Sequence, residues 1–269
     1  MLRSPARSRA PWPWWLITIV VLGALGLTSA LSSPQSRVIF EVTASGIGIT
    51  VLVAMIAYVI SLFLGLGLAL LKGSPWRLAR EAATFYIELM RGLPMLVILY
   101  YIAFVATPVL AGILNFFLFP VQALGWMVPL SARNIDFTTR AVTALTLGYS
   151  AFLAEVFRAG IESVDKGQTE AGLALGLSRW QTLRHIVLPQ MFRNVLPALV
   201  NESVAMIKDS SLVSVLGVQD ITQMGKVYAA STFQFFETYN AVAFFYLCLT
   251  ITLSLAARVL EERLGRSRR

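Results

Sequence analysis

The composition of this 269-residue chain excludes a soluble globular protein, because 57% of its residues are hydrophobic, only 13% are charged and the mean hydropathy is +0.72. Soluble domains carry about 25% charged residues, so the sequence indicates an integral membrane protein. The formal net charge of +8 forms no soluble basic face, and we expect no nucleic-acid partner. The single cysteine, Cys248, and single histidine, His185, exclude a disulfide framework and a Cys- or His-rich metal site.

The first 40 residues are predicted to hold a basic cytoplasmic tail and one extra transmembrane helix. Trp12 to Ala30 is an apolar stretch long enough to cross a bilayer, and it starts with a tryptophan cluster typical of the membrane interface. A signal peptide cleaved near Thr28 to Ala30 is the competing interpretation. In both cases the polar connector that follows, Ser32 to Val42, begins outside the cell.

Three further spans are predicted before the main cytoplasmic stretch. They cover Ile47 to Leu71, Phe85 to Ala106 and Ala141 to Phe157, and a basic cytoplasmic loop separates the first two of them. Opposite charges at i,i+3 spacing lie at two places in these segments, where they are positioned to pair locally on the helix surface. The pairs are Glu88 with Arg91, and Glu155 with Arg158.

The apolar segment Ile113 to Leu130 does not fit a regular span, because Asn115, Pro120 and Gly125 interrupt it. If it crossed the membrane, every later segment would change sides, and the basic stretch after residue 158 would lie outside. The excess of Lys and Arg in cytoplasmic loops opposes that topology. We therefore predict an external insertion, either re-entrant or interfacial.

The cytoplasmic stretch Gln168 to Gln190 predicts two short helices joined by a glycine turn. Gln168 to Leu175 forms the first helix, and Gly176 is expected to take the left-handed conformation that closes a helix. Ser178 and Gln181 form a capping box for the second helix.

The second of these helices carries an apolar side, since Trp180, Leu183 and Val187 repeat at helical spacing. Glu170 is expected in the first turn of the preceding helix, where negative charge suits the helix dipole. Pro189 disfavours helix at the residue before it. Pattern alone leaves two interpretations open: an interfacial amphipathic connector, or a surface that docks a partner protein.

The spacing within this stretch is Glu-Ala-Gly at residues 170–172, three residues, Gly176, nine residues, Ile186, one residue, and Leu-Pro at 188–189. It resembles the EAA loop of permease subunits in ATP-binding-cassette (ABC) importers, with Gly172 where a second alanine is usual. In that family the loop is the element through which a separate ATPase drives the permease. The resemblance implies these ATPase-docking residues: Glu170, Ala171, Gly172, Leu173, Gly176, Trp180, Leu183, Ile186, Leu188 and Pro189.

Three more tracts are similar to the polar amino-acid uptake group of these permeases, of histidine, glutamine or glutamate type: Glu88–Pro94, Gly148–Gly160 and Lys208–Leu212. The resemblance implies the type I importer fold, with a five-helix core at residues 41–260 and the docking loop at 166–190. It also implies an identical or sister permease chain, an ABC ATPase dimer that binds ATP and Mg, and a periplasmic or lipid-anchored solute-binding protein. The expected location is the bacterial inner membrane.

The fifth predicted span, Val195 to Gly217, carries charges close to the expected bilayer centre. Lys208 and Asp209 point about 100° apart on a regular helix and cannot pair well, while Glu202 and Asp209 share a face and repel. These groups need partners on other helices, water or solute, and an interhelical salt-bridge network is the alternative to solute contact. The pathway candidates are Lys208, Asp209, Glu202, Glu88, Arg91 and Glu155.

The rest of the chain is predicted as an external loop, Val218 to Thr238, a last span, Tyr239 to Val259, and a cytoplasmic tail at residues 261–269. With the extra first helix, this gives an all-α membrane protein with six spans and both ends in the cytoplasm. Most Lys and Arg residues then lie on the cytoplasmic side, as the positive-inside rule requires.

The sequence contains no Gly-x4-Gly-Lys-Ser/Thr phosphate loop, since Gly225-Lys226 is followed by valine and has no glycine at the required upstream position. We therefore expect a non-catalytic subunit with no cofactor of its own. Two functional hypotheses remain: a permease subunit driven by a partner ATPase, and a self-sufficient secondary transporter. The second does not need an EAA-like loop and often shows two repeated halves, which are not evident here.

Overall fold

The computed structural model describes residues 33–124 and 127–265, with Gly23, Gly26 and Thr28 before them. The predicted basic tail and most of the first span, Trp12 to Ala30, lie outside the described residues, as does the end of the C-terminal tail. Everything described is helix or connection, which confirms the all-helical fold class. The α-helices are α1 Pro34–Ser45, α2 Ile47–Lys72, α3 Arg77–Gly92, α4 Met95–Tyr100, α5 Thr107–Ala123, α6 Phe137–Glu162, α7 Lys166–Ala174, α8 Arg179–Thr182, α9 Leu188–Asp209, α10 Ile221–Thr232 and α11 Phe235–Gly265.

Short irregular helices join several of these elements. Tyr101–Ala106 and Leu183–Val187 are π-helical turns, whereas Ala132–Asn134 and Ser210–Leu216 are 3₁₀ helices. By length and composition alone, three helices of the described part could cross a membrane: Pro34–Lys72, Met95–Pro120 and Phe235–Ala257. The six-span topology with both ends in the cytoplasm stays a prediction.

The predicted polar connector at Ser32 to Val42 is wrong, because most of it forms α1. The side chain of Ser33 accepts a hydrogen bond from the Ser36 N–H at 3.1 Å, and Pro34 occupies the first turn, where its missing N–H has no cost. At Gly46 the backbone stays near helical angles, so α1 leads directly into α2. The predicted domain boundary at residue 40 therefore falls inside a helix.

The third predicted span is also corrected, because Phe85 to Ala106 is not one helix. Pro94 disfavours helical angles at the residue before it, and Leu93 is extended at φ −100° and ψ 139°. Helix restarts at Met95 and continues through the first π-helical turn as far as Ala123. The break separates α3 from the apolar helix that could cross the membrane.

Most of the predicted insertion Ile113 to Leu130 belongs to that same apolar helix, which does not end until Ala123. It is therefore not a separate helix, and the side of the membrane on which the later segments lie stays a prediction. Asn115 of α5 binds Leu130, which lies beyond the end of the helix. Its Nδ2 donates to the Leu130 carbonyl and its Oδ1 accepts from the Leu130 N–H, each at 2.7 Å. Because these bonds satisfy the returning backbone, the chain can fold back along the helix.

Helix α6 contains the fourth predicted span and lies at the centre of the fold. A Cβ at Gly65 of α2 would come within 2.8 Å of the Leu153 Cβ, so the two helices touch backbone to backbone. Ser61 of α2 donates to the Thr146 carbonyl at 3.0 Å across the same contact. Because neighbouring helices cover α6, small and polar residues replace the apolar surface that lipid contact would need.

Two predictions for the C-terminal half need revision. The predicted external loop, Val218 to Thr238, contains α10, whose first turn is capped by the Asp220 side chain accepting from the Gln223 N–H at 2.8 Å. The fifth predicted span is not a single regular helix, because α9 ends at Asp209 and a 3₁₀ helix continues to Leu216. The last predicted span lies inside α11, which begins at Phe235.

Candidate functional sites: a docking loop and a polar cluster

Helix α7 opens the candidate docking loop, and its start is set by Asp165. The Asp165 side chain accepts from the Gly167 N–H at 2.6 Å, which caps the helix two residues earlier than predicted. Glu170 consequently lies in the second turn, so the prediction that it sits in the first turn is wrong. The capping carboxylate of Asp165, rather than Glu170, lies at the positive end of the helix dipole.

The turn after α7 is closed by Gly176, as predicted. Gly176 is left-handed at φ +84°, and its N–H donates to the Leu173 carbonyl at 3.0 Å. The Leu177 N–H donates to the Gly172 carbonyl at 3.2 Å. These two bonds form a Schellman motif, which redirects the chain sharply toward α8.

Helix α8 starts with the predicted capping box, in which Ser178 and Gln181 each accept from the other's backbone N–H. Pro189 is expected to disfavour helix at Leu188, but Leu188 has helical angles of φ −58° and ψ −44°. Its N–H donates to the Leu183 carbonyl, five residues back, in the second π-helical turn. The wider turn accommodates a proline ring that a regular α-helix would press against the carbonyl of residue 185.

The predicted docking residues divide into an inner and an outer set. Gly172 is buried, and a Cβ there would lie 2.7 Å from the Ile186 Cδ1 and 3.0 Å from the Thr182 Cγ2. Leu183 and Leu188 pack against the hydrophobic core. Gly172, Leu183, Ile186 and Leu188 therefore hold the two short helices together and attach them to the bundle.

The outer set consists of predicted docking residues whose side chains or backbone are exposed: Glu170, Ala171, Leu173, Gly176, Trp180 and Pro189. Trp180 is 58% exposed, which is high for so large an apolar side chain. Leu175, at 82%, is more exposed still, and sequence reasoning missed it. It lies next to the glycine turn and off the apolar stripe of α8, so helical periodicity gave no signal for it.

The two long helices on either side of the loop pack tightly against each other. A Cβ at Gly160 of α6 would overlap the Val195 side chain of α9. Asn194 Nδ2 also donates to the Ser163 Oγ at 2.9 Å, next to the start of the loop. The loop therefore starts and ends on two helices that are in close contact with each other.

The predicted ion pairs behave differently from one another. Glu155 binds Arg158 at 2.9 Å, as predicted, and also binds Lys72 at the end of α2 at 2.6 Å. Glu88 and Arg91 are both exposed, and neither takes part in an ion pair with another described residue. Glu155 thus has a partner on α2 and one on its own helix, which supports a structural role for it.

The polar cluster lies around the end of α9. Asp209 Oδ2 accepts a hydrogen bond from the buried Tyr149 hydroxyl of α6 at 2.8 Å. Glu202 is half-buried and lies seven residues before Asp209, on the same face of α9. Lys208 is exposed, and its side chain has no hydrogen bond or ion pair with the described residues.

The two tyrosines of this cluster were not identified from the sequence. Tyr58 donates to the Leu199 carbonyl of α9, while Tyr149 binds Asp209, so α2 and α6 each contribute one hydroxyl. Each tyrosine lies in an apolar span, where an aromatic residue is normally expected to pack in the hydrophobic core. Only the packing of three separate helices brings these hydroxyls to the acidic face of α9.

Residues 61–269 match the family described as the inner membrane component of binding-protein-dependent transport systems. The chain belongs to this family. The match covers the whole docking loop and all of the polar cluster except Tyr58, and it confirms the resemblance to ABC importer permeases.

Relatives of this permease include several transport proteins. The probable amino-acid permease protein YxeN of Bacillus subtilis is 35% identical over 227 residues, which cover 84% of this chain and 93% of that protein. The glutamine transport system permease protein GlnP of Escherichia coli is 37% identical over 70% of this chain and 76% of its own length. The arginine transport system permease protein ArtQ of Bacillus subtilis is 32% identical over 89% and 98%.

Solved structures agree with this assignment. The permease matches a chain of a crystal structure of an amino acid ABC transporter with histidines at a TM-score of 0.69 and 34% identity, over 83% of this chain and 94% of that chain. It also matches the MetNI methionine ABC transporter in an inward-facing conformation, at a TM-score of 0.65 and 18% identity over 83% and 96%. The second similarity shows the fold alone.

The glycine turn of the docking loop gives a direct test of this geometry. A Cβ at Gly176 would meet nothing within 4 Å, so any effect of substitution comes from backbone strain rather than from crowding. Gly176→Val should destabilise the turn by about 1–2 kcal/mol and reduce uptake, because β-branched residues tolerate positive φ poorly. Gly176→Asn, which adopts the left-handed region more readily, should retain most uptake. Equal uptake by both variants at equal membrane expression would contradict the role of the left-handed turn.

Proposed function

We propose that this chain is the permease subunit of an ATP-driven importer of polar amino acids. The observation that carries the proposal is the family match over residues 61–269, which includes a docking loop with an exposed apolar surface and a rigid attachment to the core. The amino-acid permeases among its relatives, of which YxeN and ArtQ cover most of the chain, support the substrate class. A self-sufficient secondary transporter gives no reason for the exposed leucines and tryptophan of the loop.

The proposed partners follow from this role. A dimer of ABC ATPase subunits binds ATP and Mg and docks on the loop at 166–190. A second permease chain, identical or a sister, completes the pathway, and a periplasmic or lipid-anchored binding protein delivers the solute. The complex is placed in the bacterial inner membrane. This subunit is proposed to be non-catalytic, with ATP hydrolysis by the partner chain, because its sequence contains no Gly-x4-Gly-Lys-Ser/Thr phosphate loop.

The test of this proposal is transport by the purified components. The chain should co-purify with an ATPase subunit, and liposomes containing that complex should take up a polar amino acid only when ATP and the binding protein are present. Uptake by this chain alone, driven by an ion gradient without ATP, would refute the proposal and establish the secondary transporter instead.

The outer set of the docking loop, extended by Leu175, is proposed to bind the ATPase. An apolar surface outside the membrane is costly in water unless a partner covers it. Leu173, Leu175 and Trp180 surround the glycine turn, and the exposed carboxylate of Glu170 adds a polar edge. The inner set keeps this surface in shape without contacting the partner.

Truncating side chains of the outer set should weaken ATPase binding, whereas truncating those of the inner set should lower the stability of the permease. Leu175→Ala and Trp180→Ala should each weaken ATPase binding by about 1–2 kcal/mol while leaving the melting temperature of the permease unchanged. Leu183→Ala is the matched control, because that side chain packs against the core, and it should lower the melting temperature. Quantitative pull-down with the ATPase and thermal denaturation in detergent measure the two quantities. Normal ATPase binding by both outer variants would exclude this surface.

The polar cluster is proposed to lie on the translocation pathway. Lys208 and the acidic pair Glu202 and Asp209 offer both signs of charge, which suits the carboxylate and ammonium groups of an amino acid. Tyr149 supplies one partner to Asp209, so the remaining acceptor positions of that carboxylate are open to water or solute. Glu88 and Arg91, without ion-pair partners among the described residues, are further candidates, whereas Glu155 is the weakest because of its two partners.

Substitutions in this cluster separate a pathway role from a structural one. Lys208→Met and Asp209→Asn should each raise the solute concentration needed for half-maximal uptake by about tenfold, as expected for loss of one charged contact. Substrate-stimulated ATPase activity of the assembled complex should fall in parallel.

Tyr149→Phe is the control, because it removes only the hydroxyl that binds Asp209. If the cluster is merely an interhelical network, Tyr149→Phe and Asp209→Asn should lower the melting temperature without changing the affinity for solute. Transport by the Lys208 and Asp209 variants at the original rate and affinity would remove these residues from the pathway.

A further inference from the structure

Arg140 is a buried arginine whose partners are carbonyl groups. Its side chain lies in the first turn of α6, and the residue is only 8% exposed. Nη1 donates to the Ala103 carbonyl at 2.7 Å and Nε to the Ile135 carbonyl at 3.0 Å, while Nη2 donates to the Ala132 carbonyl. The guanidinium also lies over the Phe137 ring, with 4.7 Å between its central carbon and the ring centroid. No ion pair of the described residues includes it.

The Ala103 carbonyl needs this donor because of the first π-helical turn. In a regular α-helix it would accept from the N–H of Thr107, but that N–H donates to Ile102 instead. The next residue along, Pro108, has no N–H to offer. Ala103 is buried, so its carbonyl would be unsatisfied without the arginine. The π-helical turn thus leaves the Ala103 carbonyl free, and the Arg140 guanidinium donates the hydrogen bond that this carbonyl needs.

We propose that Arg140 is a positioning residue that holds α6 closed against the helix Met95–Ala123, and that this contact must open during each transport cycle. Its hydrogen bonds to Ala103, Ala132 and Ile135 are called the Arg140 clamp below. The proposal rests on the proposed function in one respect, since the cycle is the one driven through the docking loop.

The position of the clamp on α6 supports a moving contact. Helix α6 runs without a proline or break from Phe137 to Glu162, and the docking loop follows directly at Lys166. The clamp and the docking loop therefore lie at opposite ends of one rod about 39 Å long. If the ATPase displaces the loop, the clamp end of α6 has to move relative to the helix Met95–Ala123 or take that helix with it.

The chemistry of the clamp makes opening feasible. Neutral carbonyls bind the guanidinium, and separating them from it leaves no unpaired carboxylate behind, unlike the breaking of a buried ion pair. At the end of a span the released arginine reaches water, which replaces its hydrogen bonds. Opening leaves the buried Ala103 carbonyl without its donor, which costs less than leaving a buried charge unpaired, so the ATP-driven movement of the loop can supply that cost.

A cross-link tests whether the contact opens. The rings of Phe104 and Phe137 lie 5.8 Å apart across the same two helices, and both are exposed to a reagent. Phe104→Cys with Phe137→Cys, in a Cys248→Ser background, should be joined by a short bifunctional thiol reagent that a reductant cleaves. Joining them in the assembled complex should abolish ATP-dependent uptake, and reduction should restore it.

The matched control joins two residues of one continuous helical stretch. Tyr100 and Phe104 have ring centroids 6.1 Å apart, so Tyr100→Cys with Phe104→Cys takes the same reagent without linking two helices. Uptake should persist in this control. Full uptake by the cross-linked 104–137 pair would show that the contact is permanent and would overturn the proposal.

Substitution of Arg140 tests whether this residue holds the contact. In Arg140→Met, hydrogen–deuterium exchange of the segment 101–107 should rise about tenfold, as expected for loss of charge-assisted hydrogen bonds. Arg140→Lys keeps the charge with fewer aligned donors and should give a smaller rise, while the segment 166–190 stays unchanged. Unchanged exchange at 101–107 in both variants would exclude Arg140 as the clamp.

These measurements also separate the clamp from the proposed function. If neither the parent complex nor the 100–104 control takes up an amino acid, the proposed substrate or coupling is wrong, whereas the exchange experiment still decides what Arg140 holds. If Arg140→Met does not fold, Arg140→Lys and the cross-link carry the test.

Discussion

Close packing against glycines between α6 and its neighbours is the constraint on which this structure depends. Gly65 of α2 meets Leu153, Gly148 of α6 meets the Met95 side chain, and Gly160 of α6 meets Val195 of α9. At each place even one added methyl group would force a displacement. Helices in a membrane gain little from the hydrophobic effect between them, so close packing at small residues has to supply the association energy. The position of the docking loop follows from these contacts, because α6 leads into it and α9 leads out of it.

The docking loop shows how one short motif serves two physical purposes. Gly172 and Ile186 face each other inside the loop, while Leu173 and Trp180 face away from it. Small residues are needed where the two helices touch, and large apolar residues are useful only where a partner can cover them. The Schellman turn at Gly176 sets the angle between these surfaces.

The charged groups of the bundle are of two kinds. Some are compensated by nearby groups, and others have no compensating group among the described residues. Glu155 has two basic partners, and Arg140 has three carbonyls and an aromatic ring. Lys208 and Glu202 lack such partners among the described residues, although each sits in a helix of the core.

The sequence by itself determined the membrane class, the capping box at Ser178 and the left-handed turn at Gly176, because these depend on composition or on residues close together in the chain. It misplaced the end of the third span and missed α10, since a π-helical turn and a capping Asp220 alter local structure without changing the apolar pattern. The tyrosine partners of the acidic face and the clamp at Arg140 needed the tertiary structure. Their hydrogen bonds join residues far apart in the chain, such as Ala103 with Arg140 and Tyr149 with Asp209, and only helix packing decides which distant groups meet.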